Sequence, residues 1–285
     1  MVQRIFSQMG FDANGVIFEQ FCNEEDGSFY DVWKVTQGDK PCVLKKAKGG
    51  EAENYRCYLH QGNSFVPKLY ASMNVDGDEW LLLEYIPGNN LMRCTREDLR
   101  AALDSMIAMQ SRFWQAEDAL GSFQKAQEGR VNRGKYLNNP LLESAYHAYL
   151  QAFSQLPRTL CHDDLLPFNV IVSHGKAVFI DWEVAGILPY PTSLARLIAH
   201  ATENNDAFFY MKEADKQFAI DYYYENFIKG RGVDYDSYRR HLDLCLFYEY
   251  CEWVYLGNEY NETDTDIYQL YTKLALIFAS KIIRT

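Results

Sequence analysis

Apolar positions along the 285-residue chain follow two different rhythms. As far as residue 86 they come in short runs rich in β-branched and aromatic side chains. Residues 29–35 and 41–46 flank the polar turn Thr36-Gln37-Gly38-Asp39-Lys40, and a third run, 79–86, contains Trp80-Leu81-Leu82-Leu83. Runs of this length bounded by Gly, Asp and Pro predict strands. Between the second and third runs Ala52, Tyr55 and Leu59 recur at helical spacing, which predicts a short helix. Beyond Thr95 the period changes. Thr95 can cap a helix whose first turn holds Glu97 and Asp98, and Leu99, Leu103, Met106, Ile107, Gln110 and Phe113 mark one face of it. Residues 121–135 are polar and contain glycines, and read as a mobile connection. Helices are expected at 140–153, 194–198, 207–229, 235–256 and 264–283, with an irregular stretch at 186–191.

One segment breaks the helical rhythm. Val170-Ile171-Val172 and Ala177-Val178-Phe179-Ile180 surround the turn Ser173-His174-Gly175-Lys176, which predicts a β-hairpin. Asn169 stands at the mouth of its first strand and Asp181 at the exit of its second, so pairing sets the two side by side, where their oxygens can share one ion. Asp164 lies in the loop before the hairpin, within reach of a substrate hydroxyl. Magnesium is a hard cation that takes one or two carboxylates besides phosphate oxygens and water. Phosphoryl transfer asks for such a metal pair, an Asp to accept the hydroxyl proton and a Lys on the phosphates. Asp164 is the candidate proton acceptor, Asn169 and Asp181 the candidate metal ligands, and His162 a structural brace.

His162-x-Asp164 followed by Asn169 and by Ile180-Asp181-Trp182-Glu183 resembles the aminoglycoside phosphotransferase and choline kinase family. The resemblance implies an α+β, bilobal protein-kinase-like fold. A small antiparallel-sheet lobe with one helix would span 1–86 and end in a hinge, and a mainly helical lobe, 87–285, would hold the catalytic loop and acceptor site. It implies ATP, with GTP not excluded, and Mg2+. It places the phosphate-pairing lysine at Lys45, or at its neighbour Lys46, and the lysine's partner at Glu51, with Glu53 the fallback. The backbone of Glu84 and Ile86 would meet the adenine edge. Two departures stand out. Asp163 occupies a position usually held by Gly, and Ser193 one often held by an Asp that ties the loop down. No G-x-G-x-x-G precedes the strand pair, where only Asp26-Gly27-Ser28 marks a turn, and no long segment follows Glu183 to seat a peptide. A small-molecule hydroxyl acceptor is therefore expected.

Composition narrows the picture further. The 28 Lys and Arg against 39 Asp and Glu give a formal charge of −11 without a basic cluster, which argues against nucleic acid as a partner. Seven cysteines without a C-x-x-C pair, no secretory leader and no membrane-length apolar run suit a cytoplasmic enzyme without a membrane partner. Tyr248, Tyr250, Trp253 and Tyr255, interleaved with Glu249 and Glu252, read first as core packing; they would also suit a cationic acceptor. Acceptor identity and oligomeric state are not legible. A choline or ethanolamine kinase is the alternative enzyme, and a silent nucleotide-binding scaffold the alternative of another class.

Overall fold

The computed structural model describes residues 1–23, 27–38, 40–60 and 62–284; Asp26 and Asp39 of the expected turns lie outside them, as does Thr285. The chain opens with α1 (Val2–Gln8) and then β1 (Ile17–Cys22), β2 (Phe29–Gln37) and β3 (Lys40–Lys46). Next come α2 (Glu51–Asn54), running on as a π-helical turn through Tyr55–Leu59, and the hairpin β4 (Leu69–Val75) and β5 (Asp78–Glu84). The five strands form one antiparallel sheet in the order β1-β2-β3-β5-β4.

Strand alternation divides this sheet cleanly. Trp33, Val35, Leu44, Trp80 and Leu82 point to one face, where Ile5 and Phe6 of α1 close a small core. Leu81 and Leu83 point to the other, against Ala52 and Tyr55, in the main core of the molecule. A strand buried on both faces needs an uninterrupted apolar run, which explains Trp80-Leu81-Leu82-Leu83. The same alternation separates the two lysines. Lys45 stands opposite Leu81 on the α2 side and Lys46 opposite Trp80 on the α1 side.

After β5 the chain leaves through half-buried Tyr85 and Ile86 to β6 (Asn89–Asn90) and α3 (Arg96–Arg112). Thr95 caps α3 by accepting from the Asp98 N–H. There follow α4 (Ser122–Gly134), α5 (Pro140–Gln155), β7 (Arg158–Cys161), a 3-10 turn at Pro167–Asn169, β8 (Val170–Ser173) and β9 (Lys176–Phe179). The chain closes with β10 (Gly186–Pro189), α6 (Thr192–Ala199), α7 (Glu213–Tyr223, with a π turn Tyr224–Ile228), α8 (Tyr235–Tyr260) and α9 (Asp266–Arg284). β8 and β9 form the expected hairpin, and β6 adds to its edge.

Three expectations need correction. Residues 121–135 are not a loop: they form α4, whose first N–H groups, Ser122 and Phe123, are capped at 3.0 and 2.8 Å by the Asp118 carboxylate. The stretch 186–191 is irregular only at its last two residues, because Gly186–Pro189 pairs with Arg158–Cys161 as β10. The helix expected from 207 starts only at Glu213, since Tyr210 is taken up by bridges to Arg93 and Thr202. No helix among the described residues is long and apolar enough to cross a membrane.

Candidate active site

The loop after β7 is built around a buried histidine. His162 is inaccessible to solvent; its N–H donates to Ser193 Oγ at 3.0 Å and its Nε2 lies 2.8 Å from the Ile180 carbonyl. Burial drives its pKa down to about 4, so the ring is neutral and carries its hydrogen on Nε2, toward that carbonyl. The tie absent with the missing Asp is thus supplied by Ser193, on the first turn of α6. Asp163 sits in the left-handed region at φ 59° and meets the buried Arg130 of α4 at 2.6 Å. That guanidinium is stacked on Phe153 and Tyr248, 4.5 and 4.6 Å from the ring centres, and donates to the Tyr149 hydroxyl.

Asp164 projects from this braced loop. Its Oδ1 accepts from Nε and Nη2 of Arg196 at 3.1 and 2.9 Å. Burial pushes its pKa up to about 6, although Arg196 works in the opposite direction. Its backbone carbonyl accepts from Asn169 Nδ2 at 2.8 Å, which leaves the Asn169 Oδ1 as the other end of the carboxamide. The Asn169 carbonyl accepts from the Ile180 N–H at 3.0 Å, so the hairpin ends carrying Asn169 and Asp181 lie abreast.

Asp181, also left-handed at φ 66°, holds Lys45 Nζ at 2.6 Å. Lys45 in turn lies 3.0 and 2.8 Å from the two oxygens of Glu51, which is 1% exposed. Burial pulls the lysine pKa down, yet Glu51 and Asp181 together outweigh it and hold it above its ordinary value. Burial pushes Glu51 up against the opposing pull of Lys45. Lys46 instead pairs with Asp78 at 2.8 Å on the sheet's other face. α2 also grips the segment after Asp181. The Gly50 N–H donates to the Glu183 carbonyl at 2.9 Å, and Asn54 Nδ2 to the carbonyls of Trp182 and Ala185 at 2.8 and 3.1 Å. Glu84 ends β5 with its N–H on the Lys68 carbonyl at 2.9 Å, and Ile86 follows in the crossing between sheet and helices.

The aromatic cluster on α8 is mostly interior. Tyr248, Tyr250 and Tyr255 are buried and Trp253 is 37% exposed. Glu249 and Glu252 are already engaged by Arg196 Nη1. Sequence reading missed Arg130, Arg196 and Asn54. Arg196 carried a signal, since an arginine inside the run Leu194-Ala195-x-Leu197-Ile198 must find buried partners. Arg130 carried none, because it sits in a polar helix.

Lys45 is the cation of the group it forms with Glu51 and Asp181, which hold it from two parts of the fold, with Asp164 in the neighbouring loop. The profile of the phosphotransferase enzyme family matches residues 24–227. "Protein LicA homolog" of Mycoplasma capricolum subsp. capricolum is 27% identical over 247 residues, 79% of this chain and 90% of that protein. Among solved structures, choline kinase from Cryptosporidium parvum Iowa II superposes with a TM-score of 0.60 at 12% identity, covering 99% of this chain and 94% of that one. A thermostable mutant of aminoglycoside phosphotransferase APH(4)-Ia, in complex with ADP and hygromycin B, gives 0.59 at 14% identity over 99% and 97%. Amicoumacin kinase hAmiN with AMP-PNP, Ca2+ and Ami gives 0.58 at 16% over 98% and 92%. Identities this low speak for the fold alone, which is the kinase-like fold. The family match spans most of the sequence, and the chain belongs to the phosphotransferase enzyme family.

Proposed function

We propose that the protein transfers the γ-phosphoryl group of ATP to a hydroxyl of a small polar or cationic molecule. The nucleotide would lie between a lobe formed by residues 1–86 and an acceptor lobe formed by 87–285. The observation that carries this reading is the buried Lys45 held between Glu51 and Asp181, from opposite sides of that cleft. In it Lys45 pairs the phosphates, Glu51 fixes Lys45, and the backbone of Glu84 and Ile86 meets the adenine. Asp164 orients the acceptor hydroxyl and takes its proton. Asn169 and Asp181 offer one carboxamide and one carboxylate oxygen, a set that suits a hard cation whose shell is completed by phosphate and water. Magnesium bound there would neutralise phosphate charge. ATP is preferred over GTP because related structures carry ADP and AMP-PNP.

A choline- or ethanolamine-type acceptor is the second reading. It is supported by the choline kinase likeness, which equals that to the antibiotic kinases. Seven cysteines without a disulfide among them suit a cytoplasmic setting.

The test has two arms. MgATP should raise the melting temperature of the purified protein. A transfer screen across aminoglycosides, choline, ethanolamine, sugars and nucleosides should return an acceptor. Asp164→Ala should keep the thermal shift and lose transfer by roughly a hundred- to ten-thousand-fold. Absence of any MgATP shift would refute the nucleotide site. A shift without transfer to any acceptor would mark a silent scaffold instead.

A further inference from the structure

Half of the Asp164 carboxylate is already committed. Oδ1 takes two N–H groups from Arg196, whereas Oδ2 meets the Asn169 carboxamide only at 3.4 Å, too long for a strong bond. Arg196 is itself held from behind. Its side chain is 12% exposed, and its Nη1 donates to Glu249 Oε2 at 2.9 Å and to Glu252. His200 Nε2 lies 3.1 Å from the same nitrogen, and His200 Nδ1 is 2.8 Å from the Tyr271 hydroxyl on α9. A planar guanidinium with carboxylates on both edges cannot swing as a lysine would. The catalytic loop, α6 and α8 are therefore linked through Arg196, and α9 joins them through His200.

We propose that Arg196 is the positioning residue of phosphoryl transfer: its fork pins Oδ1 of Asp164 and leaves Oδ2 facing the acceptor hydroxyl. This rests on Asp164 being the proton acceptor, as read above. In the step, the acceptor O–H bond breaks and its proton passes to Oδ2. The acceptor oxygen forms a bond to the γ-phosphorus, the bond from that phosphorus to the bridging oxygen breaks, and ADP leaves with the electron pair. Arg196 stays charged and unchanged. If it served only to neutralise the buried Glu249, its loss would affect folding and leave turnover of the folded enzyme alone.

Steady-state ADP release separates these cases, with MgATP and choline, ethanolamine or kanamycin as acceptor, whichever the wild type turns over. Arg196→Gln is expected to lower kcat ~100-fold with the KM for ATP nearly unchanged, the cost of a misplaced reacting group. Arg196→Lys should recover a substantial part of that loss. In the Asp164→Asn background, Arg196→Gln should cause little further loss, because residues acting as one unit are not additive. Since Arg196→Gln leaves the buried Glu249 with His200, 3.5 Å away, in place of a fixed charge, Arg196→Gln/Glu249→Gln is the companion variant. It should melt close to the wild type and remain ~100-fold slow. Turnover at the wild-type rate in that companion, or a full additive loss in the Asp164→Asn background, overturns the inference while the assignment of Asp164 stands. A wild type inert with these three acceptors and with the sugars and nucleosides of the wider screen overturns both.

Discussion

Asp164 and His162 lie two positions apart in one loop, and burial moves them in opposite directions on the pH scale. The Asp164 carboxylate, half-buried and paired with Arg196, has its pKa pushed up to about 6. A base of that strength is ionised at pH 7 and lost on acidification, so kcat/KM for the acceptor should fall about tenfold per pH unit below 6. A flat profile between pH 7 and pH 5 would remove Asp164 from the role of proton acceptor. His162 titrates near 4 in the folded protein against 6.5 in the unfolded chain. Between these values the unfolded chain binds a proton that the native state does not. Its contribution to stability is therefore complete above pH 6.5 and declines as pH falls toward 4, by about 3 kcal/mol in all. Urea unfolding at pH 7 and pH 4.5 should register this loss, and His162→Asn should flatten it. An unaltered pH dependence in the variant would place the loss elsewhere.

Helix α4 illustrates what an element can hide. The strands around Trp33 and Leu81, the capped α3 and the β8–β9 hairpin were all legible, because each carries its own apolar period or turn. So was the placement of Asp164, Asn169 and Asp181, which follow one another at short spacing around that hairpin. α4 has no apolar stripe: its inward face is Phe123, Ala126 and Arg130, and its cap, Asp118, lies outside any expected boundary. Likewise β10 exists through pairing with Arg158–Cys161, a partner 27 residues upstream that no local pattern announces. What holds α4 to the loop after β7 is the Arg130–Asp163 pair, and two costs compete there. Asp163 at φ 59° carries roughly 1 kcal/mol of left-handed strain that glycine would relieve. Arg130 without its carboxylate would be a buried unpaired charge, at roughly 3–5 kcal/mol. The second is larger. Asp163→Gly should therefore destabilise by about 2–4 kcal/mol in urea unfolding, and Arg130→Met added to it should recover most of the loss. Stabilisation by Asp163→Gly alone would show that the ion pair contributes nothing.

Three junctions join the two parts of the molecule around the hairpin, besides those of Tyr58 with Asp118 and Phe113 and of Asn63 with Arg112. The sheet face holding Leu81 and Leu83 merges with the core of the helical part, whereas its opposite face forms a separate core with α1. α2 holds the backbone of residues 182–185, and Lys45 holds Asp181. The third junction is the crossing itself, where Asn89 and Asn90 pair with Val172 and Ile171 of β8. Gly88 makes this pairing possible. A Cβ there would stand 2.3 Å from the Val172 carbonyl oxygen and 2.9 Å from Ile171 Cγ2, so backbone would have to move. Gly129, inside α4, has nothing within 4 Å of the same position. Gly88→Ala should destabilise by about 1–3 kcal/mol, as overpacking does. It should also lower kcat and the melting shift given by MgATP, since the displaced β8 follows directly on Asn169. Gly129→Ala should stabilise by about 0.5–1 kcal/mol through helix propensity and leave turnover unchanged. If Gly88→Ala loses stability while turnover and the MgATP shift stay intact, the crossing strand is packing alone. The alignment of the hairpin with the nucleotide side would then rest on Lys45 and α2.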